Sequence, residues 1–136
     1  MINARTLFPQ EDPEFFYVSD YQPILDSFGK IILQIDDADW QGDSRVLYKR
    51  GEHIGYLQFG WGSCSGCDAL QACATYDKVD AVIQHLSGAI SWFSSAANAL
   101  TFFTCHDWEG DYSWHAEEQK EFIRKSIELL KGELKR

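Results

Sequence analysis

The stretch SRVLYKRGEHIGYLQFGW, residues 44–61, decides the fold that this sequence predicts. Two runs rich in β-branched and aromatic residues, Arg45–Lys49 and Ile54–Trp61, flank the turn-like segment RGEH. Strand-forming runs that are separated by a short turn indicate an antiparallel hairpin. The stretch therefore predicts the centre of a small antiparallel sheet.

Helical patterns lie on both sides of this hairpin. The predicted helices cover residues 21–36, 67–73, 77–93, a segment that starts after Ser94 or Ser95, and 114–134. Asp77 and Ser113 are the expected N-caps of the third and the last of these helices. Residues 1–136 therefore predict a single α+β domain, in which a small antiparallel hairpin or sheet packs against about four to five helices. Residues 1–19 are expected to form an extended N-terminal arm.

The composition and the charge exclude several classes of protein. Hydrophobic residues make up 45% of the 136-residue chain, which supports a buried core and argues against disorder. The net charge of −9 disfavours binding to nucleic acid or to an anionic membrane, because both require clustered basic residues. It is compatible with a protein partner that has a basic surface, and the alternative is that the excess of acidic residues only keeps the protein soluble. The first residues show no signal-peptide pattern, and no run approaches the roughly 18 apolar residues of a membrane span. We therefore expect a cytoplasmic protein with reduced thiols.

The stretch GWGSCSGCDALQAC, residues 60–73, contains three of the four cysteines. A Cys-x-x-Cys pair in a glycine-containing turn directs two sulfurs to one centre, which is half of a tetrahedral zinc site. The predicted zinc ligands are Cys64 and Cys67, together with two of Cys105, His106 and His115. Two alternatives stay open. The pair is either a set of packed, reduced thiols in a tight turn or a redox-active dithiol.

The motif DW-x-GD occurs twice, at residues 39–43 and 107–111. In one interpretation each copy is a loop that ends a helix, with the tryptophan packing back and the glycine forming the turn. In the other, the two loops form one acidic recognition surface, because exposed aromatic residues beside charges are typical anchors at interfaces. The predicted partner-binding residues are Asp39, Trp40, Asp43, Trp108, Glu109 and Asp111.

The runs GWGSCSGCDAL and HDWEGDYSWH resemble a pattern in uncharacterised small proteins of bacteria and their phages. The resemblance implies a mobile-element context, in which small acidic proteins often bind and block a host protein, and it implies no catalytic residue. We therefore expect a non-catalytic binding protein whose cysteine-rich turn is structural and holds zinc if the further ligands are present.

The alternative is a metal- or thiol-dependent enzyme that uses Cys64 and Cys67 together with His106 and His115. A cysteine and a histidine support nucleophilic catalysis when their side chains meet in space. Because no HExxH, GxSxG, P-loop or GxGxxG motif occurs, the sequence indicates no particular reaction.

Overall fold

One antiparallel sheet lies at the centre of the fold, and it confirms the hairpin predicted over residues 44–61. The computed structural model describes residues 2–10, 16–64, 66–110 and 115–135. Its strands are β1 (Lys30–Asp36), β2 (Gly42–Arg50), β3 (His53–Trp61) and β4 (Ser91–Phe93), in the order β1-β2-β3-β4. Arg50 pairs with His53 beside the tight turn, and Gly42 pairs with Trp61 at the other end of the hairpin.

Helices cover both faces of this sheet. In the described residues they are α1 (Ala4–Leu7), α2 (Gln22–Ser27), α3 (Tyr76–Ala89), α4 (Ala96–Cys105) and α5 (Ala116–Leu134). The first three pack on one face, and α4 and α5 pack on the other. Val46 and Tyr48 point to the first layer and Leu47 to the second, because side chains alternate along β2. The fold is therefore α+β, as predicted. None of the described helices has the length and apolar character to span a membrane.

The helix predicted over residues 21–36 is wrong in its second half. The chain ends α2 at Ser27 and continues as β1. Between the two elements Gly29 has a φ of 152°, which residues with a side chain rarely adopt and which ends the helix. The isoleucines that follow are β-branched and favour a strand. Antiparallel pairing with β2, which follows after a loop of five residues, completes the change from helix to strand.

The helix predicted over residues 77–93 is shorter at its C-terminal end. It ends at Ala89, because the next residues form β4 and pair with β3. Its N-cap is Thr75, whose hydroxyl accepts a hydrogen bond from the Lys78 N–H, so the assignment of Asp77 as the cap is wrong. β4 brings the Trp92 ring so close to Gly55 that no room is left there for a side chain.

The remaining helices agree with the sequence more closely. α4 starts after Ser95, one of the two predicted starting points, and the Ser95 hydroxyl caps it by accepting a hydrogen bond from the Asn98 N–H. His115 is the N-cap of α5, and the predicted cap Ser113 lies outside the described residues. Residues 4–7, which were expected to belong to an extended N-terminal arm, instead form α1. This helix packs against α3, and the Ala4 N–H donates to Asp80 Oδ1 at 2.7 Å.

The short helix predicted over residues 67–73 does not form. Residues 66–73 form a series of turns instead. Asp68 is almost completely buried and accepts hydrogen bonds from the backbone N–H groups of Gly62 and Gln71 and from the Tyr21 hydroxyl. This carboxylate therefore ties the turns to the residue that precedes α2. The cysteines consequently do not lie at the N-terminus of a helix.

Candidate functional site

The loop between β1 and β2 carries the most exposed large hydrophobic side chain among the described residues. Trp40 is 82% exposed. The loop beneath it is closed by two hydrogen bonds, from the Asp37 N–H to Asp43 O at 2.9 Å and from the Asp43 N–H to Asp37 Oδ2 at 2.8 Å. Gly42 lies so close to Asp37 that an added Cβ would lie 2.7 Å from the Asp37 Cβ. The loop therefore holds Trp40 out to solvent on a closed frame.

A buried ion pair supports this frame. The Arg45 guanidinium donates from Nη1 to Asp37 Oδ1 at 2.7 Å, and both side chains are essentially inaccessible to solvent. A second carboxylate, that of Asp43, lies 3.9 Å from Arg45 Nη2. Because a buried charge is strongly unfavourable without a partner, the pair couples the conformation of the loop to β2.

His115 joins the start of α5 to the same loop. Its Nε2 lies 3.9 Å from carboxylate oxygens of both Asp37 and Asp39, and its Nδ1 lies 3.8 Å from Glu118 Oε2. Asp37, His115 and Glu118 form the group of potential metal ligands that is found within the described ranges. Asp37 is already bound to Arg45, whose positive charge competes with a cation. We therefore interpret the group as a charged connection between two elements.

A cleft of about 300 Å³ lies beside the Trp40 loop, between the start of α2, β1 and the turns that follow β3. The rings of Tyr21 and Trp61 line it. Four carboxylates also line it, those of Asp20, Asp36, Asp37 and Asp68. Asp20 and Asp36 are exposed, whereas Asp37 and Asp68 are buried. Such a lining favours a positively charged group over an anion.

The second DW-x-GD loop presents its tryptophan differently. The Trp108 ring stacks on Phe103 at a centroid distance of 5.6 Å and an interplanar angle of 16°. Its indole N–H donates to the Phe103 carbonyl at 2.9 Å. Trp108 is therefore half-buried against the α4–α5 layer, as the helix-exit interpretation expects. Glu109 is exposed, and Asp111 lies outside the described residues.

The Cys-x-x-Cys pair lies on the surface just after β3. The Sγ atoms of Cys64 and Cys67 are 3.0 Å apart, and both residues are exposed. The Cys67 N–H donates to Cys64 O at 3.0 Å, and the Cys64 N–H donates to Cys67 Sγ at 3.2 Å. Hydrogen bonds from the Cys64 thiol and from the Cys64 N–H lower the pKa of the Cys67 thiol below its usual value.

The other candidate zinc ligands are dispersed among other contacts. Cys105 is exposed at the end of α4, and the next residue, His106, packs its ring against Phe102 and Trp108. His115 faces carboxylates, as described above. Within the described ranges no third cysteine, histidine or carboxylate ligand forms a group with Cys64 and Cys67. Zinc binding by the pair therefore stays a prediction.

Cys73 differs from the exposed pair. It is buried, its thiol donates to Ala69 O at 3.3 Å, and burial raises the pKa of this thiol. This placement agrees with the behaviour of a packed, unreactive cysteine.

Sequence reasoning did not identify Asp37, Arg45 or Glu118 as parts of this site. Arg45 offered a signal, because it occupies an inward-facing position of the hairpin two residues before Leu47. A charged side chain at such a position requires a buried partner. The identity of that partner depends on chain segments that meet only in the folded protein.

A comparison of the chain with models of known families, with curated proteins and with solved structures finds no match. The functional assignment therefore rests on the geometry of the site itself.

Proposed function

We propose that this protein is a non-catalytic binding protein that uses the Trp40 loop to engage a basic surface on a partner protein. The observation that carries the proposal is the exposure of Trp40, 82%, on a loop that hydrogen bonds and a buried ion pair hold closed. Tryptophan is enriched among the residues that dominate binding energy at protein interfaces. A preorganised loop also loses little conformational entropy on binding.

The charges around Trp40 define the chemistry of the partner. We use the term acidic face for Trp40 together with the carboxylates of Asp39, Asp43 and Glu118. Complementary charges accelerate association and exclude partners of the wrong sign. The exposed carboxylates of Asp20 and Asp36 offer contacts to a lysine or arginine side chain in the neighbouring cleft, because Asp37 and Asp68 already have partners within the chain. The partner in this proposal is therefore a protein with a basic segment beside an apolar contact for the indole ring.

The resemblance to small proteins of bacteria and their phages supports a more specific form of the proposal. In this form the chain acts in the cytoplasm and blocks a host protein by covering its basic surface. Its net charge of −9 suits the displacement of an acidic ligand, such as a nucleic acid, from that surface.

The test compares three tagged chains as baits in a bacterial lysate: the wild type, Trp40→Ala and Leu134→Ala. Leu134 is the matched control, because it is also an exposed hydrophobic residue, with 50% exposure. It lies far from the acidic face: the preceding residue, Glu133, pairs with Lys49 at the opposite end of β2. A captured protein is then purified, and its affinity for each variant is measured by calorimetry at two salt concentrations.

We expect Trp40→Ala to weaken binding by roughly 30-fold or more, which corresponds to the about 2 kcal/mol of an interface hot spot. Leu134→Ala is expected to bind as the wild type does. Added salt is expected to weaken the affinity, because charge attraction is screened over about 10 Å at 0.1 M ionic strength. Equal affinity of the wild type and Trp40→Ala for every captured protein would contradict the proposal.

An enzyme built on Cys64 and Cys67 with His106 and His115 remains the second candidate. The contacts of the histidines do not favour it. The His106 ring packs on Trp108 at a centroid distance of 4.4 Å, and both ring nitrogens of His115 face carboxylates. The observation that favours thiol chemistry is the distance of 3.0 Å between the two exposed sulfurs.

A further inference from the structure

The Cys64 and Cys67 sulfurs are already close to bonding distance. Their Sγ atoms lie 3.0 Å apart, and a disulfide bond requires about 2.05 Å. Both residues are exposed, so a reagent in solution reaches either sulfur. In the presence of an oxidant, a movement of about 1 Å therefore suffices for the two thiols to form one disulfide. No other segment has to move across the molecule for this to happen.

The segment around the two sulfurs is held in place by its own contacts. Asp68 binds the Gly62 and Gln71 backbone N–H groups, and a Cβ added at Gly62 would collide with Cys67 O and would lie 2.7 Å from Cys67 Sγ. Gly62, the residue that follows β3, therefore packs directly against Cys67. Because the pair is preorganised, closing the disulfide loses little additional conformational entropy.

The two sulfurs have different surroundings, which distinguishes their roles. The Cys67 sulfur accepts a hydrogen bond from the Cys64 N–H at 3.2 Å and faces the Cys64 thiol. Hydrogen bonds of this kind stabilise a thiolate, which is the nucleophile in exchange reactions. These contacts favour Cys67 as the nucleophile of the pair, and Cys64 is close enough to attack a mixed disulfide formed on Cys67.

We propose that Cys64 and Cys67 form a thiol–disulfide exchange site that accepts low-molecular-weight disulfides. The Cys67 thiolate attacks one sulfur of R–S–S–R, so that a Cys67–S–S–R bond forms and R–S⁻ leaves. Cys64 then loses its proton to solvent and attacks the Cys67 sulfur, which releases the second R–S⁻. Each R–S⁻ takes up a proton. The two protein thiols are oxidised to one disulfide, and R–S–S–R is reduced to two R–SH. This site is independent of the partner binding proposed above.

The test uses the full chain with Cys105→Ser, because Cys105 is exposed and reacts on its own. The probe is cystamine, a small disulfide with two ammonium groups, since a chain with a net charge of −9 attracts a cation. Reduced protein is mixed with cystamine, quenched with acid at intervals, and examined by intact mass and peptide mapping. Single substitutions, Cys64→Ser and Cys67→Ser, are made in the same background, and circular dichroism checks their folding.

The background protein is expected to lose two hydrogens and to retain no cysteamine, with Cys64 bonded to Cys67. Cys64→Ser is expected to keep one cysteamine on Cys67, because no resolving thiol remains. Cys67→Ser is expected to react several-fold more slowly, and the buried Cys73 is expected to stay unmodified in the folded chain. Stable cysteamine on both Cys64 and Cys67 of the background protein, or no reaction at either, would overturn the proposal. Equal rates for the two single variants would overturn the assignment of Cys67 as the attacking residue.

Discussion

Replacing Trp40 by alanine is expected to leave the fold intact, whereas the same replacement at Trp108 is expected to destabilise it. The two tryptophans occupy equivalent positions in the two DW-x-GD motifs, so each is a control for the other. Trp40 is 82% exposed, whereas Trp108 is half-buried and belongs to the α4–α5 layer. The pair therefore tests whether Trp40 is available for a partner.

The expected free energies follow from the burial of the two rings. A fully buried tryptophan hides about 200 Å², and Trp40 hides roughly a fifth of its surface, or about 40 Å². At about 25 cal/mol per Å² the loss in Trp40→Ala is at most about 1 kcal/mol. Trp108→Ala removes the buried half of the ring surface, the stacking on Phe103 and a hydrogen bond from the indole N–H. These contributions together amount to about 4 kcal/mol.

The assay is equilibrium unfolding in urea, followed by far-ultraviolet circular dichroism, since the substitutions change tryptophan fluorescence directly. The free energy of unfolding is compared at equal slope, so that a shift in midpoint reports stability. A loss above about 2 kcal/mol for Trp40→Ala would refute the reasoning, because the ring would then be part of the core. A loss below about 1 kcal/mol for Trp108→Ala would refute the assignment of that ring to the α4–α5 layer.

Three further outcomes test other parts of the structure. Asp37→Ala is expected to lower the free energy of unfolding by about 3–5 kcal/mol, because it removes the buried carboxylate bound to Arg45; a loss below about 1 kcal/mol in urea unfolding would contradict this. Gly62→Ala is expected to displace the cysteine turns and to destabilise the chain by about 1–3 kcal/mol, since the added Cβ meets the Cys67 backbone, and unchanged stability and thiol reactivity would show that the approach is not close. Alkylation by iodoacetamide is expected to reach half of its maximal rate at lower pH for Cys67 in the folded chain than in urea, because the lowered pKa increases the thiolate fraction at a given pH. Cys73 is expected to remain unalkylated in the folded chain, because it is buried and its pKa is raised, and alkylation in the folded chain as fast as in urea would contradict this.

Local patterns in the sequence were sufficient for the central part of the fold. The hairpin over residues 44–61 depends on two strand-forming runs and the turn between them, and all of these interactions are between near neighbours. The same holds for Ser95, whose side chain caps the helix that begins at the next residue. The spacing of Cys64 and Cys67 likewise predicted that their sulfurs lie together.

Contacts that form in the folded chain, rather than local spacing, decided the features that the sequence alone assigned wrongly or left open. Residues 30–36 have helical spacing but form a strand, because they pair with β2 after Gly29 ends the helix. The Asp37–Arg45 pair and the approach of His115 from α5 bring together segments that no local pattern connects.

The two DW-x-GD motifs show the division most clearly. The sequence by itself determined that each motif forms a loop with a tryptophan, because the glycine and the aspartates favour turns. Only the tertiary structure decided that Trp108 packs on Phe103 while Trp40 stays in solvent. The physical reason is that burial depends on which side chains lie opposite in space, and the shared residues of the two motifs do not determine those neighbours.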